Sequence, residues 1–194
     1  AMNRNQVLPQ VELSSDVGGL RKVDLCAHQA YKGYGFLGIR DLPRVAEGAS
    51  TVEAGDGFHW KLETYFEDSP GSEPRQFMNL ELKGQIHLVC QRCLKDCPVE
   101  LSEVRRFALV GSEDEADAFP MEDDQQEPLV VSQHFDVLET IEDEILLSLP
   151  LIPKHPKGVC EAHASTFGAD AGASGVLETR ENPFNILKSI KKNS

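Results

Sequence analysis

The sequence predicts an α+β fold: an antiparallel β-meander, open or curled towards a barrel, packed against one main α-helix, with a short helix near the C-terminal end. Three observations predict it. Residues 58–66 and again residues 78–90 alternate apolar and polar side chains, the pattern of half-buried strands. Residues 136–149 repeat apolar side chains at helical spacing instead. The links between successive strands are short, which antiparallel neighbours allow and parallel ones do not. A chain of 194 residues suits one domain with a sizeable core, carrying a mobile acidic loop at 111–128 and a flexible segment at 164–181.

Each element follows from its residues. Residues 7–13 and 23–26 read as short strand-like pieces, followed by a Gly/Tyr-rich stretch over 31–36. Asp41-Leu42-Pro43-Arg44 reads as a helix start, with Asp41 as the cap and Pro43 in the first turn, and that helix ends near Gly48. In the strand 58–66 the even positions are largely apolar; Asp68-Ser69-Pro70-Gly71-Ser72 then turns the chain. The next strand places Met78, Leu80, Leu82, Ile86, Leu88 and Cys90 on one side, and Gly84 marks a bulge. Pro98 opens a third strand over 99–110, and residues 129–131 form another short one. Asp136 caps the main helix, with Glu139 three residues on. Leu138, Ile141, Ile145 and Leu149 form its apolar stripe, Glu142, Asp143 and Glu144 face away, and Pro150 and Pro153 stop it. Asn182-Pro183-Phe184 begins the last short helix.

The formal charge of −13 is unevenly placed. Residues 1–110 and 154–194 are nearly neutral, whereas residues 111–153 hold 13 acids and no base. A basic face elsewhere is therefore compatible with the total, with Arg92, Lys95, Arg105, Arg106, Lys154 and Lys157 as its candidates. The acidic stretch reads either as a solvated loop or as a surface for a basic partner such as a ribosomal protein. No run approaches the length of a membrane span and no basic-then-apolar leader is visible, so a reducing cytoplasm is expected, where thiols bind metal or stay free.

Cysteines carry the sharpest signal. Cys90-Gln91-Arg92-Cys93 falls at a hairpin tip and can present two sulfurs to one metal ion, close a redox disulfide, or simply shape a tight turn. Cys160 and His163 repeat the spacing and would complete a Cys3His zinc site with Cys90 and Cys93. Cys97 and Cys26 are expected to fill the core. Thioredoxin-like exchange needs a helix N-terminus that is not predicted here, and the motifs of phosphate-binding loops, serine hydrolases and zinc peptidases are absent. His59 and His87 are expected on the polar sides of their strands, exposed or hydrogen-bonded.

Several landmarks then occur in order: Cys90-Gln91-Arg92-Cys93, an acidic stretch, Ile141-Glu142-Asp143-Glu144-Ile145-Leu146-Leu147-Ser148-Leu149-Pro150-Leu151-Ile152-Pro153, Cys160 and Asn182-Pro183-Phe184. Over roughly residues 20–192 the chain resembles the bacterial YceD family. The resemblance implies a non-enzymatic assembly factor acting on large-subunit (23S) ribosomal RNA, or on a ribosomal protein that joins that RNA. It points to Arg92, Glu142, Asp143 and Glu144 for RNA or partner contact, and the charge distribution adds Lys95, Arg105 and Arg106; no small-molecule substrate and no membrane are expected.

Overall fold

The computed structural model describes residues 10–27, 29–68, 74–119 and 126–160, all within one compact unit. Six strands form one open sheet in chain order: β1 (Gln10–Glu12), β2 (Ala30–Gly38), β3 (Gly57–Glu67), β4 (Arg75–Val89), β5 (Asp96–Val110) and β6 (Glu127–Val130). Strands β2 to β5 make the expected antiparallel meander, but β1 and β6 add to its edges in parallel. The sheet is thus mixed, and it does not close into a barrel.

Among the described residues there are four α-helices: α1 (Val17–Leu20), α2 (Pro43–Gly48), where the short helix is expected, α3 (Glu113–Asp117) and α4 (Val137–Ser148), the longest. The C-terminal helix expected from Asn182, the flexible segment 164–181 and His163 lie outside the described residues. The described parts of 111–128, residues 111–119 and 126–128, hold more order than a loop, because Ser112 caps α3 and Glu127 opens β6. The strand expected at 23–26 reduces to one bridge, Val23 with Phe135, and the Gly/Tyr-rich stretch is the strand β2.

Period-2 alternation selects the buried face. Trp60, Leu62, Met78, Leu80, Leu82 and Ile86 point inwards, where Leu138, Ile141 and Ile145 of α4 meet them. Burying each large aliphatic side chain is worth about 1.5–3 kcal/mol, so this contact is the main source of cohesion. Gly84 is not at a bulge: it pairs in register with Phe58 and Leu101. A Cβ there would sit 2.0 Å from the Gly57 carbonyl oxygen, so close strand approach demands glycine.

Helix α2 starts differently from its predicted cap. Asp41 ends a single 3-10 turn and accepts from the Gly38 N–H at 3.0 Å, leaving Leu42 in the capping position without a side-chain acceptor. Glu142 from α4 supplies it, accepting from the N–H groups of Arg44 at 2.6 Å and Val45 at 3.3 Å. Asp136 does cap α4, accepting from the Glu139 N–H at 2.9 Å. Cys97 is buried as expected, but Cys26 is exposed rather than part of the core.

Candidate metal centre and contact surface

Strands β4 and β5 pair up to Val89 and Asp96, so six residues must reverse the chain. Cys90 N–H donates to the Lys95 carbonyl at 2.9 Å and Leu94 N–H to the Cys90 carbonyl at 2.8 Å, folding them into a tight knuckle. Leu94 adopts φ +57°, the left-handed conformation such a turn requires. The prolines that stop α4 send the chain past this knuckle, where Gln91 N–H donates to the Pro153 carbonyl at 2.9 Å.

That strap delivers two further ligands. Cys90 and Cys160 sulfurs are 3.7 Å apart, and His155 Nδ1 lies 3.4 Å from the Cys93 sulfur and 3.5 Å from that of Cys160. All four donor atoms fall within 4.8 Å of one another. Zinc–sulfur bonds of about 2.3 Å and zinc–nitrogen bonds of about 2.0–2.1 Å at tetrahedral angles place donors roughly 3.5–3.8 Å apart, so the quartet fits one ion. His155 Nε2 meets the Asp96 carbonyl oxygen at 2.7 Å. That bond holds the proton on Nε2 and leaves the Nδ1 lone pair facing the sulfurs.

Electrostatics agree with the geometry. Burial opposes a thiolate at Cys90, but N–H groups of Cys93, His155 and Arg92, together with the Cys93 thiol, bring its pKa down to about 5. Burial and the neighbouring thiols raise that of Cys160. A negative charge is thus prepared at the centre of the group, as a cation needs. Cys90, Cys93 and Cys160 are three of the four ligands expected from sequence; His155 stands in the fourth position, and His163 is outside the described residues. His155 was legible only as a histidine in a proline-bounded stretch, five residues before Cys160.

Behind the knuckle, Asp96 accepts from Ser50 and Thr51 hydroxyls at 2.5 and 2.9 Å and pairs with the buried His87 at 2.5 Å. The Ser50 hydrogen bond first, then His87, hold the Asp96 carboxyl at about 2. The same bond to Asp96 raises the His87 pKa against the opposing effect of burial. His87 is therefore hydrogen-bonded as expected, and His59 is exposed.

The remaining charged candidates divide sharply. Arg92 and Lys95 are exposed on the knuckle, and Lys154 and Lys157 are exposed on the strap. Arg105 lies 3.1 Å from Glu144, and Arg106 lies 2.9 Å from Glu67 and spreads over the Phe77 ring. Glu142 and Asp143 both receive the Arg44 guanidinium, at 3.1 and 2.6 Å. Glu142 and Glu144 are buried, correcting the expectation that this carboxylate run faces away. Two of its three acids turn inwards because α2 and β5 press on α4 from either side.

Taken together, the described residues define an open-sheet α+β protein whose chemistry is concentrated in a Cys3His knuckle. The chain belongs to the family "Large ribosomal RNA subunit accumulation protein YceD", whose model matches residues 78–191. It is similar to the curated protein of that name from Haemophilus influenzae, with 29% identity over 164 residues that cover 81% of this chain and 86% of the relative. No solved structure matches it.

Proposed function

We propose that this protein is a non-enzymatic factor of ribosome biogenesis. It supports accumulation of large-subunit ribosomal RNA by binding that RNA, or a ribosomal protein seated on it, in the cytoplasm. The knuckle carries this reading. Cys90, Cys93, His155 and Cys160 would hold a structural zinc ion, which pins the strap to the hairpin and leaves Arg92 on a stiff turn. Arg92, Lys95, Lys154 and Lys157 are exposed on the knuckle and the strap, as are Leu94, Leu151 and Ile152, and this basic and apolar mixture suits phosphate and base contact. Arg105, Arg106, Glu142, Asp143 and Glu144 serve the fold through their contacts with one another, with Arg44, with Glu67 and with the Phe77 ring.

The test is sedimentation of the tagged protein through a gradient of cell extract. It should travel with large-subunit precursors, and Arg92→Ala with Lys95→Ala should shift it towards the top. Sedimentation apart from every ribosomal precursor would remove the reading. A second reading, capture of a basic client, draws on α3, where Glu113, Asp114, Glu115 and Asp117 are all exposed. Replacing these four acids by their amides should then release the client while leaving RNA association intact.

A further inference from the structure

Four of the five cysteines of this chain meet at one end of the sheet. Cys90, Cys93 and Cys97 form a buried cluster, and Cys160 packs against it from the strap. Their access to solvent differs. Cys90 is 0% exposed and Cys93 6%, whereas Cys160 is only half-buried. The sulfurs of Cys90 and Cys160 lie 3.7 Å apart, although 70 residues separate them in sequence. The strap reaches Cys160 through a turn in which Val159 N–H donates to the Pro156 carbonyl at 3.2 Å. Gly158 takes φ +92° in that turn, with open space where a Cβ would stand. Lys157, Gly158 and Val159 are all exposed, so this end of the strap has room to move. A shift of roughly 1.7 Å carries the two sulfurs from contact to a bond of about 2.05 Å.

We infer that Cys90 and Cys160 form a reversible disulfide in response to hydroperoxides, which makes the knuckle a redox switch. Cys160 is the thiol an oxidant reaches first. Its sulfur attacks hydrogen peroxide: an S–O bond forms, the O–O bond breaks, and water leaves, giving a sulfenic acid at Cys160. The Cys90 sulfur then attacks the Cys160 sulfur, the S–S bond forms, and the hydroxyl departs with the thiol proton as a second water. Two electrons pass from the sulfurs to the peroxide. The switch removes two of the four metal donors, and Cys93 with His155 are too few to hold zinc. Arg92 lies between Cys90 and Cys93, so its turn loses the Cys93 anchor while Cys90 keeps the strap attached. Transient, sensing disulfides are the kind a reducing compartment permits. The inference deepens the reading above and rests on its knuckle, naming how that contact surface is regulated.

Hydrogen peroxide added to the purified full chain, followed by thiol blocking and non-reducing peptide mapping, tests it. A link from Cys90 to Cys160 should be the main product, and dithiothreitol should remove it. A chromophoric chelator in the same sample should report zinc released in step with the link. Cys160→Ser should abolish every link between knuckle and strap, whereas Cys93→Ser and Cys97→Ser should still form it. Hydrogen exchange over 91–95 should quicken on oxidation and return on reduction. Circular dichroism of the same samples shows that the variants are folded. A Cys90–Cys93 or Cys93–Cys160 link as the main product, disulfides between chains, or sulfinic acid at Cys160 without a link overturns the inference. Zinc retained after the link forms, or unchanged exchange over 91–95, also overturns it. Zinc absent from the purified chain defeats the metal reading instead, and the peptide map still decides the disulfide. Sedimentation apart from ribosomal precursors defeats the proposed function and leaves that map untouched.

Discussion

The interface between α4 and the sheet and the knuckle at the end of β4 are stabilised by different physics. Ile141 and Ile145 sit fully buried against Leu80 and Leu82, an aliphatic contact that needs no ligand. The knuckle instead gathers Cys90, Cys93 and Cys97, with Val99 and Cys160 packed around them among the described residues. Three thiols and a histidine are a small apolar core but a good set of metal donors. The two regions teach where stability and function separate: the first sets whether the chain folds, the second how one surface turn is held.

The sharpest way to break this contrast is in the core. Ile141→Ala should cost about 2–5 kcal/mol in chemical denaturation, with the transition staying cooperative. A loss below 1 kcal/mol would mean α4 is not the principal cover of the sheet. Next comes Glu142→Ala, which strands the N–H groups of Arg44 and Val45 and the Arg44 guanidinium, at about 2–4 kcal/mol. Glu142→Gln, which keeps an acceptor oxygen, should recover part of that; equal damage from both would argue against trans-capping.

Metal removal should act locally. The purified chain is expected to carry one zinc per molecule by elemental analysis, lost on Cys90→Ser or His155→Ala. Hydrogen exchange after chelation should speed up over 90–97 and 153–160 while amides of β3 and β4 keep their protection. Exchange rising equally everywhere would show that the core depends on the knuckle after all.

A pH scan sharpens the comparison further. The His87 pKa is raised and that of Asp96 lowered to about 2, so their ion pair contributes fully between the ordinary aspartate value of about 3.9 and the ordinary histidine value of about 6.5. It is lost as pH rises through the elevated His87 value, so Tm should decline there, and His87→Gln should flatten the decline. The smallest effect is expected from Glu144→Gln. Burial raises the Glu144 pKa despite the Arg105 charge, and their contact at 3.1 Å is not aligned as a hydrogen bond. The change in stability should stay within about 1 kcal/mol of zero.

Much of the frame was legible because periodicity is a local property. Strands β3 and β4 and helix α4 begin and end within a few residues of where alternation and capping place them, and Cys90 and Cys93 lie at the hairpin tip as read. What escaped depended on partners distant in sequence. Strand β2 was hidden because Gly33 and Gly35 face Trp60: a Cβ on either would come within 3.0 Å of the indole, so the inward positions lack the apolar residues that announce a strand. Residues 7–13 and 129–131 read as strands, but segments so short carry no signal of their parallel pairing at the sheet edges. Glu142 looked solvated because the groups it satisfies lie 97 and 98 residues away. His155 looked scattered because only the prolines after α4 carry it back to Cys93.

Sequence by itself determined the antiparallel centre of the sheet, the main helix, the three cysteines of the knuckle and the confinement of excess negative charge to one stretch. These are written in side-chain period and spacing, which act between neighbours along the chain. Tertiary structure alone decided which histidine joins the thiols and which acids turn inwards. Those outcomes depend on contacts closed across long loops, where packing geometry chooses among residues that look alike in sequence.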